Sequence, residues 1–421
     1  VRKKRVLVNA ALSLAVLSGI GFNHFASAKE SHKSQVQPKA KNVIIFVGDG
    51  MGAAHREAIR LATVGLKGDL AMNSMPVTGL VHTSSLTPVT DSAAAATAMA
   101  SGVKTYNGAV GVDGNKKSVK TVLEMAEEAG KSTGLVTTSQ ITDATPAAFG
   151  AHVTDRSKQS DIAKQYLENS KVDVLLGGGE DFWYPAGNPG AFEDNPVKDP
   201  SEQSKGTQGN LVEKAKRLGY KYVTNAADLK KSKSKKLLGL FANEEMFEQR
   251  PEGEGDLYNP AVSLPDMTKK AIDTLSSNKK GFFLMVEEEG IDEMSHENNA
   301  EKMIKAGQQL DKSVQIAKDY AKKHRDTLVL VVADHECGGL TIEEVNDKDE
   351  SGDGISKEDG PFKVANSNDK FTIDWTTTGH GGVNVPLTAI GAGSELLSGS
   401  YENTHIFEAV KQAMGLKDKH K

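Results

Sequence analysis

Short apolar runs recur along the chain, each giving way to small and polar residues. They are "NVIIFVG" (42–48), "STGLVTT" (132–138), "VDVLLGGG" (172–179), "GFFLMVE" (281–287), "TLVLVVAD" (327–334) and "PLTAIG" (386–391). Runs this short, without polar alternation, predict parallel strands buried on both faces. Between them lie stretches with helical apolar periodicity, at 118–130, 158–170, 210–218, 266–277 and 300–323. Strand–helix alternation predicts an α/β fold, a three-layer sandwich with a large, mainly parallel central sheet flanked by helices. Residues 181–209, rich in Pro, Gly and Asn, and the acidic residues 343–370 break the rhythm. They predict surface insertions, near 181–265 and 343–370, on one domain spanning 29–421.

The first 28 residues follow a different pattern. A basic start (Arg2, Lys3, Lys4, Arg5) leads into an apolar run that closes on Ala26-Ser27-Ala28. The run is short for a membrane span, and Gly and Asn lie near its end, so it reads as a signal peptide over 1–28. Its removal takes the net charge from −5 to −9, because it carries four basic residues and no acid. An acidic exported chain offers no general basic face to nucleic acid. The lysines at 230, 231, 233, 235 and 236 read as a solvated local cluster. With Cys337 the sole cysteine, no internal disulfide forms.

In open parallel sheets, ligands gather at the carboxyl ends of the strands. Here those ends carry Asp49, then Asp143 and Thr145, then Glu287, then Asp334 and His335. Asp292 and His296 are spaced i, i+4, which puts both on one face of a helix, able to grip one metal. His380 sits among glycines in "TTGHGG". Thr145 and Glu287 are oxygen donors, suited to magnesium rather than zinc. Arg156 offers a planar fork for phosphate.

In "TDSAAAATAMASG" (90–102), Thr90, Asp91 or Ser92 can cap a helix of strong helix formers. An ordinary cap accounts for that stretch by itself. The whole constellation favours a nucleophile at the helix tip, where free N–H groups and the dipole suit a serine that carries phosphate. Two cations about 4 Å apart can stabilise both the attacking and the leaving oxygen of a phosphoryl transfer.

The blocks "FVGDGMG", "TDSAAAATAMASG", "DATPAAFGAHVTDR", "VEEEGIDEMSH", "VVADHECGG" and "TTGHGG" resemble, in order, those of bacterial alkaline phosphatases, above all the disulfide-free Gram-positive versions. The resemblance covers nearly all of 42–415. It implies a secreted or envelope-associated homodimer that hydrolyses phosphate monoesters at alkaline pH. It implies two zinc ions and one magnesium ion per subunit. Ser92 matches the nucleophile that becomes phosphoserine, and Ser92, Arg156 and Asp91 are the substrate-contacting set. Asp292, His296 and His380 match one zinc site; Asp49, Asp334 and His335, beside Ser92, match the other. Asp49, Thr145 and Glu287 match the magnesium ligands, with Asp143 a water-mediated neighbour.

Departures from the family pattern fall in "VEEEGIDEMSH". Glu293 stands where relatives commonly carry Lys, His or Trp, and there it would repel phosphate or alter the magnesium shell. The triple acid 287–289 leaves Glu288 as a competing ligand. His55, His82, His152 and His405 match no metal position, and His152 is expected to support the Arg156 loop. "DKDESGDGISKE" (347–358) partly fits a calcium loop and otherwise reads as a solvated acidic hairpin. A diesterase or sulfatase on the same scaffold, or a phosphate-binding surface protein with a dead site, are the competing functions.

Overall fold

The structure is a computed structural model that describes residues 39–194, 203–246, 258–345 and 358–417. The 28/29 boundary and the calcium-like stretch up to residue 357 lie outside the described residues. In chain order the strands are β1 (Asn42–Gly48), β2 (Val77–His82), β3 (Ser132–Gln140), β4 (Val174–Gly178) and β5 (Lys221–Val223). Then come β6 (Leu237–Leu240), β7 (Phe282–Glu288), β8 (Thr327–Val332), β9 (Glu336–Cys337) and β10 (Thr341–Glu343). The last are β11 (Asp359–Lys363), β12 (Lys370–Asp374), β13 (His380–Gly381), β14 (Val385–Gly391) and β15 (Gly399–Glu402).

Ten of these strands form one sheet in the order β15-β2-β14-β8-β1-β7-β3-β4-β6-β5. From β8 to β5 every pairing is parallel. The central strands β1, β7 and β8 are buried along their whole length, as their unbroken apolar sequences require. Helices Ala53–Val64, Leu264–Leu275 and Ala300–Lys323 pack together on one layer of the sheet. Ser92–Ser101, Val122–Glu128, Ala144–Gly150 and Thr404–Met414 form the other. The three-layer α/β sandwich expected from the sequence is the fold.

One strand departs from expectation. β14 runs antiparallel to both β8 and β2, although "PLTAIG" reads as a parallel strand. An apolar run reports burial on two faces and carries no sign of direction. β2, β5, β6 and β15 are short or half-exposed, and periodicity passed over them. β5 and β6 fall within 181–265, so part of that stretch completes one edge of the main sheet. The described part of 343–370 enters a small antiparallel sheet, β10-β12-β11.

The alanine-rich helix Ser92–Ser101 is buried on every side. It lies between Ala144–Gly150 and Thr404–Met414, and small side chains let all three approach closely. Gly102 ends it with φ 74°, a left-handed cap that glycine adopts without strain.

Candidate active site

Because β1, β3, β7 and β8 are parallel neighbours, their carboxyl ends open on one edge of the sheet. Asp49 follows β1, Glu287 closes β7, Asp334 and His335 follow β8, and Asp143 and Thr145 follow β3. Residues far apart in sequence meet there. Thr145 Oγ1 donates to Asp49 Oδ2 at 3.3 Å, and His335 Nε2 lies 3.5 Å from Asp49 Oδ1 and 3.1 Å from Asp334 Oδ2.

The cap of the alanine helix is Asp91, whose Oδ1 accepts from the Ala94 N–H at 3.0 Å. Ser92 is thereby released from capping. Its hydroxyl sits at the first helical position with Oγ 3.2 Å from His335 Nε2. Asp91 Oδ2 accepts from Gly108 N–H at 2.8 Å and lies 3.7 Å from Arg156 Nη1. Arg156 Nη2 donates to both oxygens of Asp143, at 2.9 and 3.0 Å.

A second group forms around Asp292. On the helix Gly290–His296 the i, i+4 pair meets as the spacing requires, with Asp292 Oδ2 3.1 Å from His296 Nε2. His380 Nε2 is 3.7 Å from the same oxygen and 3.1 Å from His296 Nε2. A tetrahedral ion with bonds of ~2.0–2.1 Å places its ligands ~3.4 Å apart, so these three atoms match that spacing. Each histidine is oriented through its other nitrogen, His296 Nδ1 against Thr378 O (2.5 Å) and His380 Nδ1 against Thr90 O (3.0 Å).

The register separates Glu287 from Glu288. Neighbours on a strand face opposite ways. Glu287 accepts from Thr137 Oγ1 at 2.6 Å and is acted on by Thr145, Asp143 and Asp334. Glu288 is held instead by Thr138 Oγ1 (2.7 Å), Tyr258 Oη (2.6 Å) and the Gly290 N–H (3.1 Å).

The charges do not balance among themselves. Burial, then Asp334 and Asp292, push the Asp49 carboxyl well up. Burial, offset in part by Thr137, moves Glu287 up to about 8. Asp292 is held well down despite its burial, because His296 and His380 outweigh it. His296 rises to about 9, chiefly through its bond to Asp292. Asp49 Oδ1, Glu287 Oε1, Asp292 Oδ1 and Asp334 Oδ2 are buried and accept no hydrogen bond. Buried oxygens in that state, mixed with imidazole nitrogens, fit divalent cations. Asp49, Asp292 and His335 form one candidate metal group, and Asp292, His296, His380 and Cys337 another.

Cys337 is the residue that sequence reading passed over, having weighed it only for disulfides. Its strand β9 pairs with β13, placing it opposite His380. Burial first, then Asp292, push the thiol strongly up. Only the pairing of two two-residue strands brings it there. The unassigned histidines have structural partners. His55 bonds Ser295 Oγ (3.2 Å), His82 bonds Ser400 Oγ (3.1 Å), and His405 bonds Leu396 O (2.8 Å). His152 bridges Gly111 O (2.7 Å) and Glu124 Oε1 (2.8 Å).

The family model described as alkaline phosphatase matches residues 40–358. Alkaline phosphatase 4 of Bacillus subtilis is 34% identical, over 96% of this chain and 95% of its own length. The alkaline phosphatase of Escherichia coli is also 34% identical, over 90% and 87%. Among solved structures, a variant of the alkaline phosphatase from the Antarctic bacterium TAB5, with magnesium bound, superposes with a TM-score of 0.71. It is 30% identical, over 91% of this chain and 100% of its own.

Proposed function

The chain belongs to the alkaline phosphatase family, and from that premise we propose that it works through a phosphoserine on Ser92. As a member it is a metal-binding phosphomonoesterase, and phosphate monoesters are its substrates. The observation that carries the covalent reading is Ser92 Oγ, free of capping duty, at a helix tip and 3.2 Å from His335 Nε2.

Two zinc ions and one magnesium ion fit the donor sets. Asp292, His296 and His380 would hold one zinc, and Asp49, Asp334 and His335, beside Ser92, the other. Asp49, Thr145 and Glu287 would hold magnesium through oxygen alone. When bound, such cations offset charge on the attacking and leaving oxygens.

The chain's own residues do the rest. Arg156 forks onto two phosphate oxygens, and Asp143 fixes the plane of that fork. The helix tip adds backbone N–H groups to the same anion. Ser92 gives its hydroxyl proton to solvent as its Oγ attacks phosphorus in line. The new Oγ–P bond forms as the ester P–O bond breaks, and the leaving alkoxide takes a proton from water. A water molecule then attacks the phosphoserine, the Oγ–P bond breaks, and Ser92 regains its proton as phosphate leaves.

The basic, apolar and Ala-x-Ala start supports export, followed by release or retention at the envelope. No helix among the described residues is long and apolar enough to cross a membrane. A homodimer completes the reading, in line with the family resemblance. The test is chemical: a radiolabelled phosphomonoester quenched in acid should leave label on one peptide, containing Ser92. Absence of label in an enzyme that turns over would overturn the covalent step.

A further inference from the structure

The catalytic reading gives Cys337 no role, although it sits among the donors around Asp292. One ligand atom each from Asp292, His296, His380 and Cys337 lies within 4.8 Å of the other three. The cysteine is fully buried. The backbone fixes its place from two sides. The Cys337 N–H donates to Gly50 O at 3.0 Å, and the Gly338 N–H donates to Gly379 O at 2.9 Å. These bonds hold β9 against β13, with Cys337 opposite His380. A β-carbon on Gly50 would meet Asp292 Oδ1 at 2.5 Å and Cys337 Cβ at 2.9 Å, so carboxylate and cysteine border one point. Asp292 Oδ1 is buried there and accepts no hydrogen bond.

A buried cysteine among apolar side chains is inert packing. One beside a carboxylate and two imidazoles completes a ligand set. Zinc takes four such ligands tetrahedrally, with Zn–S ~2.3 Å and Zn–N ~2.0–2.1 Å, which spaces sulfur and nitrogen ~3.6 Å apart. The observed bound of 4.8 Å leaves little more than ~1 Å for an ion to draw in. Taking Asp292, His296 and His380 as the zinc site proposed above, we propose that Cys337, as a thiolate, is the fourth ligand of that cation in the phosphate-free enzyme. The S–H bond breaks as the sulfur–metal bond forms, and the proton passes to solvent. One carboxylate and one thiolate offset both charges of the ion, so the buried site is neutral. A soft sulfur donor with two imidazoles selects zinc over magnesium. A catalytic zinc ordinarily keeps its fourth position open. A thiolate in that position makes this site closed at rest.

The experiment replaces zinc by cobalt, another first-row divalent ion that nitrogen and sulfur donors take. Full-length enzyme is loaded to two cobalt ions per chain in phosphate-free buffer, and its near-ultraviolet absorption is recorded. The chain has a single cysteine, so a thiolate-to-cobalt charge-transfer band can arise only from Cys337. The wild type should show that band, and Cys337→Ser should lose it. The same variant, loaded with zinc, should hold one of its ions at least ~10-fold more weakly and the other as in wild type. Should Cys337→Ser fail to fold, the wild-type spectrum decides alone. Two cobalt ions per chain without the band would overturn the assignment, even if zinc retention falls in the variant, because a cysteine that only positions Asp292 also weakens zinc. A failure of the underlying metal reading would show separately, as absence of both cobalt and zinc from every sample.

Discussion

Arg156 and Asp143 are locked together: a single Nη2 reaches both carboxylate oxygens, at 2.9 and 3.0 Å. Asp143, ahead of burial, raises the guanidinium's hold on its proton. The proposed phosphate clamp is thus oriented by Asp143 in the free protein. Replacing Arg156 by Ala should lower kcat/KM by ~10–100-fold and weaken inhibition by free phosphate in parallel. Arg156→Lys should recover little, because a point charge does not reproduce a planar fork. Steady-state kinetics with a chromogenic monoester decides it, and full activity in either variant would remove Arg156 from the site.

Asp91 and Ser92 divide two duties. With the cap supplied by Asp91, Ser92→Ala should leave the helix intact and remove the proposed nucleophile. Activity should fall on the order of 10³-fold or more, with the melting temperature within a few degrees of wild type. Asp91→Ala should do the reverse in part, costing roughly 1 kcal/mol of stability through the lost cap. A Ser92→Ala enzyme that stays active would end the covalent mechanism.

Metal removal should destabilise the fold as well as stop turnover. Asp49, Asp334, Glu287 and His335 are all fully or almost fully buried, and several of their atoms have no hydrogen-bond partner. Stripped of cations, such groups are left desolvated and facing like charge. Chelation should lower the melting temperature by several degrees, and zinc with magnesium should restore it. An unchanged melting curve after verified metal loss would contradict this account.

The His152–Glu124 pair gives a pH signature away from the metals. Burial opposes the charge on His152, but its bond to Glu124 outweighs that, and the imidazole sits above its ordinary 6.5. Burial likewise opposes Glu124, and His152 together with the Thr121 N–H holds it below its ordinary 4.5. The histidine's contribution is complete below pH 6.5 and is lost as pH rises through its raised folded value. The carboxylate's contribution is present above 4.5 and lost as pH falls through its depressed folded value. The pair therefore stabilises most between about pH 4.5 and 6.5. His152→Gln should cost about 1 kcal/mol at pH 5.5 and less at pH 9.5. Melting curves on metal-free protein at the two pH values check it; an equal cost at both would sink the assignment.

Gly50 has φ +66°, and a β-carbon there would lie 2.5 Å from Asp292 Oδ1 and 2.9 Å from Cys337 Cβ. Gly50→Ala should therefore displace Asp292 and reduce zinc retention, beyond the ~1 kcal/mol that a strained backbone costs. Zinc content after dialysis measures this, with retention at the wild-type level as the contrary result.

The sequence by itself determined the fold class, six strands and the roster of chemical groups. Unbroken apolar runs report burial directly, and the blocks around Asp49, Ser92, Asp143, Asp292, Asp334 and His380 carry the donors that cations need. It determined the Asp292–His296 pair as well, because that contact is local to one helical turn. Tertiary structure decided what depends on long-range register. It turned Glu287 inward and gave Glu288 to Tyr258, a choice made by strand pleating. It reversed β14, because an apolar run has no direction. It brought Cys337 opposite His380 through two strands too short to register as patterns. It joined Gln140 to Glu245, and no spacing along the chain encodes a contact of that kind.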